Sequence, residues 1–309
     1  MKHITSSRNT ECFADAVALG NFDGLHRGHQ ELIRVTKESG NAAVFSFFPP
    51  PLSVLGCTPV KTIMTSREKA FLLEKMGIDL FIEYPFDNQI SNMPPESFVR
   101  DVLVGQLRCR TVIIGEDYRF GQQGGGNCEM LCKLGQALKF EVKVIPHIMD
   151  SGSKISSTRV REAIAKKEFE TAARLMGRPY FVMGEVIRGN MLGHGMGIPT
   201  ANLAPSIYKF LPPSGVYHSF IKLDDENFLG LTNIGTRPTV ADDKEIMIET
   251  HILEFDGNIY GQTITVEFGR WIRSESKFES LDALRAQITS DIATVKTIHH
   301  QTQNFETLD

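Results

Sequence analysis

Apolar residues follow two different rhythms along this chain. In the first half, short apolar runs alternate with stretches of helical spacing. The runs are Ala14–Leu19, Ala42–Phe47, Ile78–Tyr84, Thr111–Gly115 and Phe140–Pro146. Between them lie His29–Ser39, Ser66–Met76, Pro95–Leu107 and Asn127–Leu138. Strands alternating with helices predict an α/β domain whose parallel sheet is covered on both faces. Such sheets bind ligands beyond the carboxyl ends of their strands. Helical signals continue through Ser157–Lys167 and Glu168–Met176, and Gly177-Arg178-Pro179 then breaks them. A domain boundary is expected there, giving domains 1–177 and 178–309.

The second half is β-rich. Its runs are Tyr180–Ile187, Gly215–Leu223, Phe228–Asn233, Glu245–Phe255 and Thr263–Phe268. Turn signals at Pro212-Pro213, Asp224-Asp225 and Asp256-Gly257-Asn258 separate them. Closely spaced strands without intervening helices predict a small antiparallel barrel. One amphipathic helix, about 281–298, follows, with Leu281, Leu284, Ile288, Ile292 and Val295 at helical spacing.

Composition narrows the class. The 309 residues are 41% hydrophobic and 23% charged, with a net charge of −4. This is ordinary for a soluble globular protein and offers no basic footprint for nucleic acid or an anionic membrane. No apolar run has transmembrane length, and the first residues lack the apolar core of a signal peptide. A reducing cytoplasm is the expected compartment. The cysteines, Cys12, Cys57, Cys109, Cys128 and Cys132, are odd in number and scattered. They are expected to be free thiols rather than a disulfide framework or zinc site. His299-His300 is expected to be a solvated helix end.

Two segments carry candidate chemistry. Gly20–His29 read GNFDGLHRGH, directly after the first predicted strand and leading into the first helix. Gly20 and Gly24 allow backbone amides to approach a phosphate closely. His26 and His29 lie three apart at a helix start, where aligned N–H groups and the positive dipole end favour an anion. They can steady charge growing on an α-phosphate as pyrophosphate leaves, with no protein nucleophile. In the second segment, Gly184–Asn202, the glycines Gly189, Gly193, Gly195 and Gly197 precede Pro199-Thr200-Ala201-Asn202. The Thr200 hydroxyl and Asn202 amide oxygen are hard ligands suited to Mg²⁺ bridging ATP phosphates.

His-x-Gly-His is the signature of the nucleotidyltransferase superfamily. More closely, the first half resembles the N-terminal domain of the bacterial bifunctional riboflavin kinase/FAD synthetase family. The resemblance implies a Rossmann-like fold and assigns Gly20, Phe22, Asp23, Gly24 and Gly28 to nucleotide binding. It continues in Ile155–Arg161 (ISSTRVR), where the hydroxyls of Ser156, Ser157 and Thr158 and the Arg161 guanidinium would grip the triphosphate. Physically, Ser157 or Thr158 can cap the following helix. Gly115–Gly121 (GEDYRFG) resembles the flavin- and nucleotide-binding loop, with Asp117, Tyr118 and Phe120 as flavin contacts. Two departures stand out: Pro50 replaces a histidine usual in the family, and Gly124 and Asn127 stand where an arginine and an aspartate are common.

PTAN resembles the riboflavin kinase domain, in which its Thr and Asn hold metal and nucleotide. Gly215-Val216-Tyr217, Asn233–Thr239 (NIGTRPT), Tyr260-Gly261 and Arg273–Phe278 (RSESKF) extend the match. The resemblance makes Glu249, in IETHILEF, the general base for the ribityl 5′-hydroxyl, and Asn233 and Arg273 flavin contacts. His194 replaces an arginine in the glycine loop, and an imidazole holds phosphate less firmly than a guanidinium.

The expected protein is a cytoplasmic bifunctional enzyme, monomeric or weakly self-associating, that uses ATP and Mg²⁺. It would phosphorylate riboflavin to FMN and adenylylate FMN to FAD. Two alternatives stand beside this: a riboflavin kinase with a weakened or inactive adenylyltransferase domain, and a non-catalytic flavin or nucleotide sensor.

Overall fold

The computed structural model describes residues 1–5, 13–56, 60–189, 198–238 and 244–306. The chain forms two compact units, Met1–Val160 and Arg161–Asp309.

The first unit is built on a six-stranded sheet. Its strands are β1 (Lys2–Thr5), β2 (Ala16–Leu19), β3 (Ala42–Phe48), β4 (Leu80–Pro85), β5 (Thr111–Gly115) and β6 (Glu141–Ile145). They are ordered β1-β4-β3-β2-β5-β6, and every pairing is parallel. The chain passes from β2 to β3 on one side and later to β5 on the other. The carboxyl ends of β2 and β5 therefore flank the point where strand order reverses, where open α/β sheets bind ligands. The edge strand β1 was not expected, because four residues of mixed polarity carry no clear period.

Helices α1 (Arg27–Lys37), α2 (Pro51–Leu55), α3 (Ser66–Lys75), α4 (Asn88–Ser91), α5 (Pro95–Ser97) and α6 (Cys128–Leu138) fill the connections. α1 buries Leu32, Ile33 and Val35. α3 starts at a capping box, in which Thr65 and Glu68 satisfy each other's backbone N–H. The predicted helix Pro95–Leu107 is different: after α5 the chain is π-helical from Phe98 to Gln106. The wider coil still buries Phe98, Val99, Val102 and Leu103, so the apolar pattern survives the change in hydrogen bonding. Val17, Phe45, Ile82, Phe98, Val112 and Leu131 form the centre of the core. Each such side chain contributes roughly 1.5–3 kcal/mol by leaving water.

A short hairpin, β7 (Met149–Asp150) with β8 (Ser153–Lys154), leads into α7 (Ser157–Ala165). α8 (Phe169–Met176) ends at Gly177, which is left-handed at φ 68°, a conformation glycine adopts freely.

The second unit holds β9 (Phe181–Glu185), β10 (Ala201–Leu203), β11 (Gly215–Leu223), β12 (Glu226–Pro238), β13 (Lys244–Ile252) and β14 (Thr263–Arg273). The order is β10-β13-β12-β11-β14-β9, antiparallel throughout. A bridge between Ile187 and Asn202 draws the two edges together, so the sheet is nearly a closed barrel. Phe169, Tyr180, Tyr217 and Phe268 pack ring against ring. A chain of buried hydroxyls, Ser219–Thr232–Thr250, crosses three strands at 2.7 and 2.9 Å.

The final helix, α9 (Leu281–Glu306), presses Ile288, Ile292 and Val295 against Val216, Leu231 and Leu253. Leu281, expected on that apolar stripe, is 63% exposed instead, because it opens the helix ahead of this contact. His299 is not fully solvated: it is half-buried with its ring against Phe220, while His300 is exposed. Among the described residues Cys109, Cys128 and Cys132 are free thiols; Cys12 and Cys57 lie outside the described residues. No described helix is long and apolar enough to cross a membrane.

His218 on β11 is 3% exposed, and its Nε2 is buried without a hydrogen-bond partner. Burial lowers its pKa to about 4, with the charges of His299 and Arg270 adding to the effect. In the unfolded chain the ring takes its proton near pH 6.5. As pH falls from 6.5 towards 4, the unfolded state binds that proton first and folded stability declines; above 6.5 the penalty is absent. Denaturant unfolding followed by the fluorescence of Trp271, the single tryptophan, should lose on the order of 1–3 kcal/mol across this window. His218→Phe should remove most of that slope; an unchanged slope would contradict the assignment.

Candidate active sites

In the first unit, a cavity of about 660 Å³ opens at the carboxyl ends of β2 and β5. GNFDGLHRGH forms its floor. Phe22, Gly24 and Leu25 all have positive φ, at 49°, 82° and 41°. Two of these are not glycine, so the turn is strained. Phe22 and Leu25 are 0% and 1% exposed, and their burial holds the strained shape. Gly24 could carry no side chain without pressing on Ile63. Asp23 Oδ1 accepts the Met64 N–H at 3.2 Å, and Ser157 Oγ donates to the Asp23 carbonyl at 2.7 Å. The turn is thus clamped from two other segments.

His26 is the N-cap of α1, its Nδ1 accepting the His29 N–H at 3.4 Å. Accepting through Nδ1 leaves the proton of a neutral His26 on Nε2. The rings of His26 and His29 stack, with centroids 3.7 Å apart at 17°. His29 Nδ1 is buried with no hydrogen-bond partner. Burial, then the charges of His26 and Lys69, holds the His29 pKa well below 6.5, so near neutral pH its ring is uncharged. The pair can offer imidazole N–H groups to a polyphosphate, and the uncharged His29 adds no cation to the stack.

Gly20, Gly28, His26, His29, Ser156 and Ser157 line this cavity, as do Asp117 and Tyr118. Phe22, Asp23 and Gly24 lie beneath it as the buried support of the turn. The helix cap falls on Ser156, whose Oγ accepts the Arg159 N–H at 3.3 Å, and not on Ser157 or Thr158. Ser157 is occupied with Asp23, and Thr158 is exposed. Arg161 lies one turn along α7 and is half-buried. Phe120 lines an adjoining apolar recess of about 370 Å³ with Phe47, Phe86 and Phe98.

The departures from the family pattern have local explanations. Asn127 caps α6, its Oδ1 accepting the Met130 N–H at 2.9 Å, a task an aspartate would perform equally. Gly124 sits at φ 65°, where an arginine would be strained. Pro50 precedes α2 and offers no side-chain cap. Sequence reasoning missed a group of charged residues on the same cavity wall. Lys154 Nζ donates to Asp117 Oδ2 at 2.8 Å, and His147 Nε2 lies 3.6 Å from the same oxygen. Partial burial alone would raise the Asp117 pKa, but the Lys154 ammonium and His147 hold it below the usual range. Lys154 immediately precedes ISSTRVR, the one signal that could have drawn attention to it.

In the second unit the motif residues fall on one transverse row. Asn202 on β10 pairs with Glu249 on β13, Glu249 with Asn233 on β12, Asn233 with Val216 on β11, and Val216 with Arg273 on β14. Paired residues project to the same face of a sheet. Five positions separated by up to 71 residues in sequence are therefore aligned across five strands.

Two cavities meet at Thr200. One, of about 370 Å³, is lined by Gly189, Thr200, Asn202, Asp256 and Tyr260. The other, of about 330 Å³, is lined by Thr200, Asn233, Glu249, Arg273, Leu284 and Ile288. Asn202 is 4% exposed, and its Nδ2 donates to the Thr200 carbonyl at 3.1 Å. That leaves Asn202 Oδ1 buried with no partner among the described residues, an unusual state for a polar atom. A side chain at Gly189 would clash with this amide, which explains the glycine. Gly193, His194, Gly195 and Gly197 lie outside the described residues. His251 Nδ1 bonds the Pro199 carbonyl at 2.8 Å and so fixes the approach to Thr200.

Arg273 lines the second cavity, but its guanidinium is committed. Nε and Nη2 donate to the Asp291 carboxylate at 2.8–3.1 Å, and Nη1 donates to the Ser274 carbonyl at 3.0 Å. It ties α9 to the barrel. The helical wall residues Leu284, Ile288 and Asp291 were not recognised from sequence as site residues, because their spacing reads simply as a packing face. No described group of three or more His, Cys, Asp or Glu could hold a metal ion.

Both units resemble known proteins. The FAD synthetase family model matches residues 9–159, and the riboflavin kinase family model matches residues 176–299. A bifunctional riboflavin kinase/FMN adenylyltransferase of Haemophilus influenzae is 36% identical, covering 91% of this chain and 93% of its own. One from Listeria monocytogenes is also 36% identical, covering 89% of each chain. A solved Streptococcus pneumoniae structure, described as a macrolide-efflux protein, superposes with a TM-score of 0.80 at 29% identity over 92% of this chain and 94% of that one. A Rossmann-like unit with paired histidines at its ligand edge and a barrel with a Thr–Asn–Glu face, matched in that order along nearly the whole chain, make it a member of the bifunctional riboflavin kinase/FMN adenylyltransferase family.

Proposed function

We propose that the barrel unit transfers the γ-phosphoryl group of ATP to the 5′-hydroxyl of riboflavin, giving FMN and ADP. The first unit then transfers the AMP moiety of a second ATP to FMN, giving FAD and pyrophosphate. The observation that carries the first step is the transverse row Asn202–Glu249–Asn233 beside Thr200, which borders both cavities. ATP fits the side of Gly189 and Tyr260, and the flavin the side of Asn233 and Leu284. Thr200 and Glu249 stand where their reacting ends meet.

In this reading Glu249 accepts the proton of the riboflavin 5′-hydroxyl. That oxygen bonds to the γ-phosphorus as the bond to the bridging oxygen breaks and ADP departs. The residues fit a nucleotide-bound Mg²⁺: Thr200 supplies a hydroxyl, and Asn202 an amide oxygen that has no other partner. Few protein ligands suffice, because Mg²⁺ takes its remaining oxygens from phosphates and water. When bound it would neutralise polyphosphate charge.

For the second step, His26 and His29 contact the polyphosphate from the floor of the large cavity. The phosphate oxygen of FMN attacks the α-phosphorus, and the bond to the pyrophosphate leaving group breaks. Neutral His29 and the Nε2–H of His26 stabilise the growing charge without themselves bonding to phosphorus. Ser156 and Arg161 hold the outer phosphates, and Asp117, Tyr118 and Phe120 hold the flavin. The two activities divide at residues 177/178, in the cytoplasm, in a chain that acts as a monomer or weak oligomer.

Incubation of the purified protein with riboflavin, ATP and Mg²⁺ should yield FMN and then FAD; unmodified riboflavin would sink the reading. Glu249→Gln should lower riboflavin phosphorylation by roughly 10²–10⁴-fold while FMN adenylylation from added FMN stays near wild type. His29→Ala should do the reverse, lowering adenylylation by about 10²-fold or more. Equal losses of both activities in either variant would contradict the division of labour. Asn202→Ala should raise the Mg²⁺ concentration needed for half-maximal kinase rate, with no effect on that needed for FAD formation.

A further inference from the structure

A cation lies buried under the first cavity that neither step above uses. Lys69, on α3, is 8% exposed, and its Nζ donates to the main-chain carbonyl of Asn21 at 3.1 Å. Asn21 is the second residue of the GNFDG turn. Burying an ammonium is costly unless charge and hydrogen bonds compensate it, and this hydrogen bond goes to a carbonyl rather than a carboxylate. The nearby acids have other partners. Glu83 takes hydrogen bonds from Ser66 Oγ at 2.9 Å and His3 Nε2 at 3.1 Å, and Asp23 caps the Met64 N–H. The position of Lys69 is well determined: the capping box at Thr65 and Glu68 fixes the start of α3, and the ammonium lies 5.7 Å from the Phe81 ring centroid.

We propose that Lys69 is a positioning residue for adenylyl transfer: from beneath the turn it holds the Asn21 carbonyl and places a fixed positive charge under the polyphosphate. This rests on the adenylyl-transfer reading of the first cavity. A carbonyl turned towards the ammonium is not turned towards an anionic substrate, so the bond removes a repulsive dipole from the cavity floor. The charge acts over a short, poorly hydrated distance, where it is worth much more than in water. It complements negative charge growing on the α-phosphate and the departing pyrophosphate.

The field of Lys69 already reaches the cavity wall. Burial lowers the Lys69 pKa, while Glu83 and Asp23 counter that fall. Lys69 in turn helps to hold the His29 pKa down, after burial and His26. The division between the two is then one of kind: the lysine carries the charge, and the imidazole stays neutral to exchange hydrogen bonds. The charged or titratable groups facing His29 are His26 and Lys69, with Asp117, Arg119, His147 and Lys154 around the same cavity.

The test uses the full-length chain with Lys69→Met and Lys69→Arg. Lys69→Met should lower kcat for FAD formation by roughly 10–10²-fold with little change in KM for FMN. It should also raise the midpoint of the His29 ring signal in an NMR titration. Riboflavin phosphorylation should stay at the wild-type level, which reports that the barrel is intact, and the unchanged KM for FMN reports that the first unit remains folded. Lys69→Arg, which keeps charge and donor, should restore most of kcat and the His29 midpoint. If Lys69→Met does not fold, Lys69→Gln gives the same comparison, with a donor but no charge. Wild-type kcat in Lys69→Met, or equal losses in all variants with an unmoved His29 midpoint, would overturn the proposal. Absence of FAD formation by the unaltered protein would instead overturn the adenylyl-transfer reading, and the His29 titration would still report whether Lys69 governs that ring.

Discussion

The chemistry of the barrel depends on register. Asn202, Glu249 and Asn233 come from three motifs that share no local structure, and only the ladder of β10, β13 and β12 makes them neighbours. A slip of one residue would send Glu249 to the opposite face of the sheet. The interior resists such a slip. Thr250, next to Glu249, is wholly buried and bonded through its hydroxyl to Thr232, which is bonded to Ser219. Displacing the strand would leave buried hydroxyls unsatisfied, at roughly 1–3 kcal/mol each.

The first unit solves a different problem. The turn at the floor of its cavity adopts left-handed backbone at Phe22 and Leu25, which an isolated peptide would not hold. The compensation is distributed. Two apolar side chains sink into the core, and Ser157, Met64 and Lys69 each bond a separate atom of the turn. The strain lies in the residues that shape the cavity, and the stabilising contacts lie in α3, α7 and the segment around Met64. Preorganisation of this kind lets amides and imidazoles meet an anion with little rearrangement.

Much of this was legible in the sequence, and the failures have physical reasons. The alternation of apolar runs identified every strand of the parallel sheet except β1, whose four residues are too few to display a period. The π-helical stretch Phe98–Gln106 was read as ordinary helix, because its apolar spacing buries the same residues in either coil. β10 was hidden inside PTAN, whose chemistry drew more notice than its extended backbone. The motif residues His26, His29, Thr200, Asn202 and Glu249 line cavities, as their spacing led one to expect of neighbours in the fold. Lys69 was invisible, since a lone lysine at helical spacing reads as a solvated side chain, and Lys154 stands on a two-residue strand too short to show a pattern. Arg273 was expected at the flavin, but only the fold discloses Asp291 as the partner that occupies its guanidinium. Ser156 took the capping role expected of its neighbours because Ser157 is engaged with Asp23.

The ion pair between Arg273 and Asp291 bears on the order in which a nascent chain becomes competent. The large cavity takes its last lining residue from Ser157, so a ribosome has delivered all of it before the barrel strands are made. The smaller cavity beside Glu249 takes part of its wall from Leu284, Ile288 and Asp291. Until α9 emerges and that carboxylate captures Arg273, the barrel has one open side and an uncompensated guanidinium. Translation therefore equips this polypeptide for its later chemical step before its earlier one.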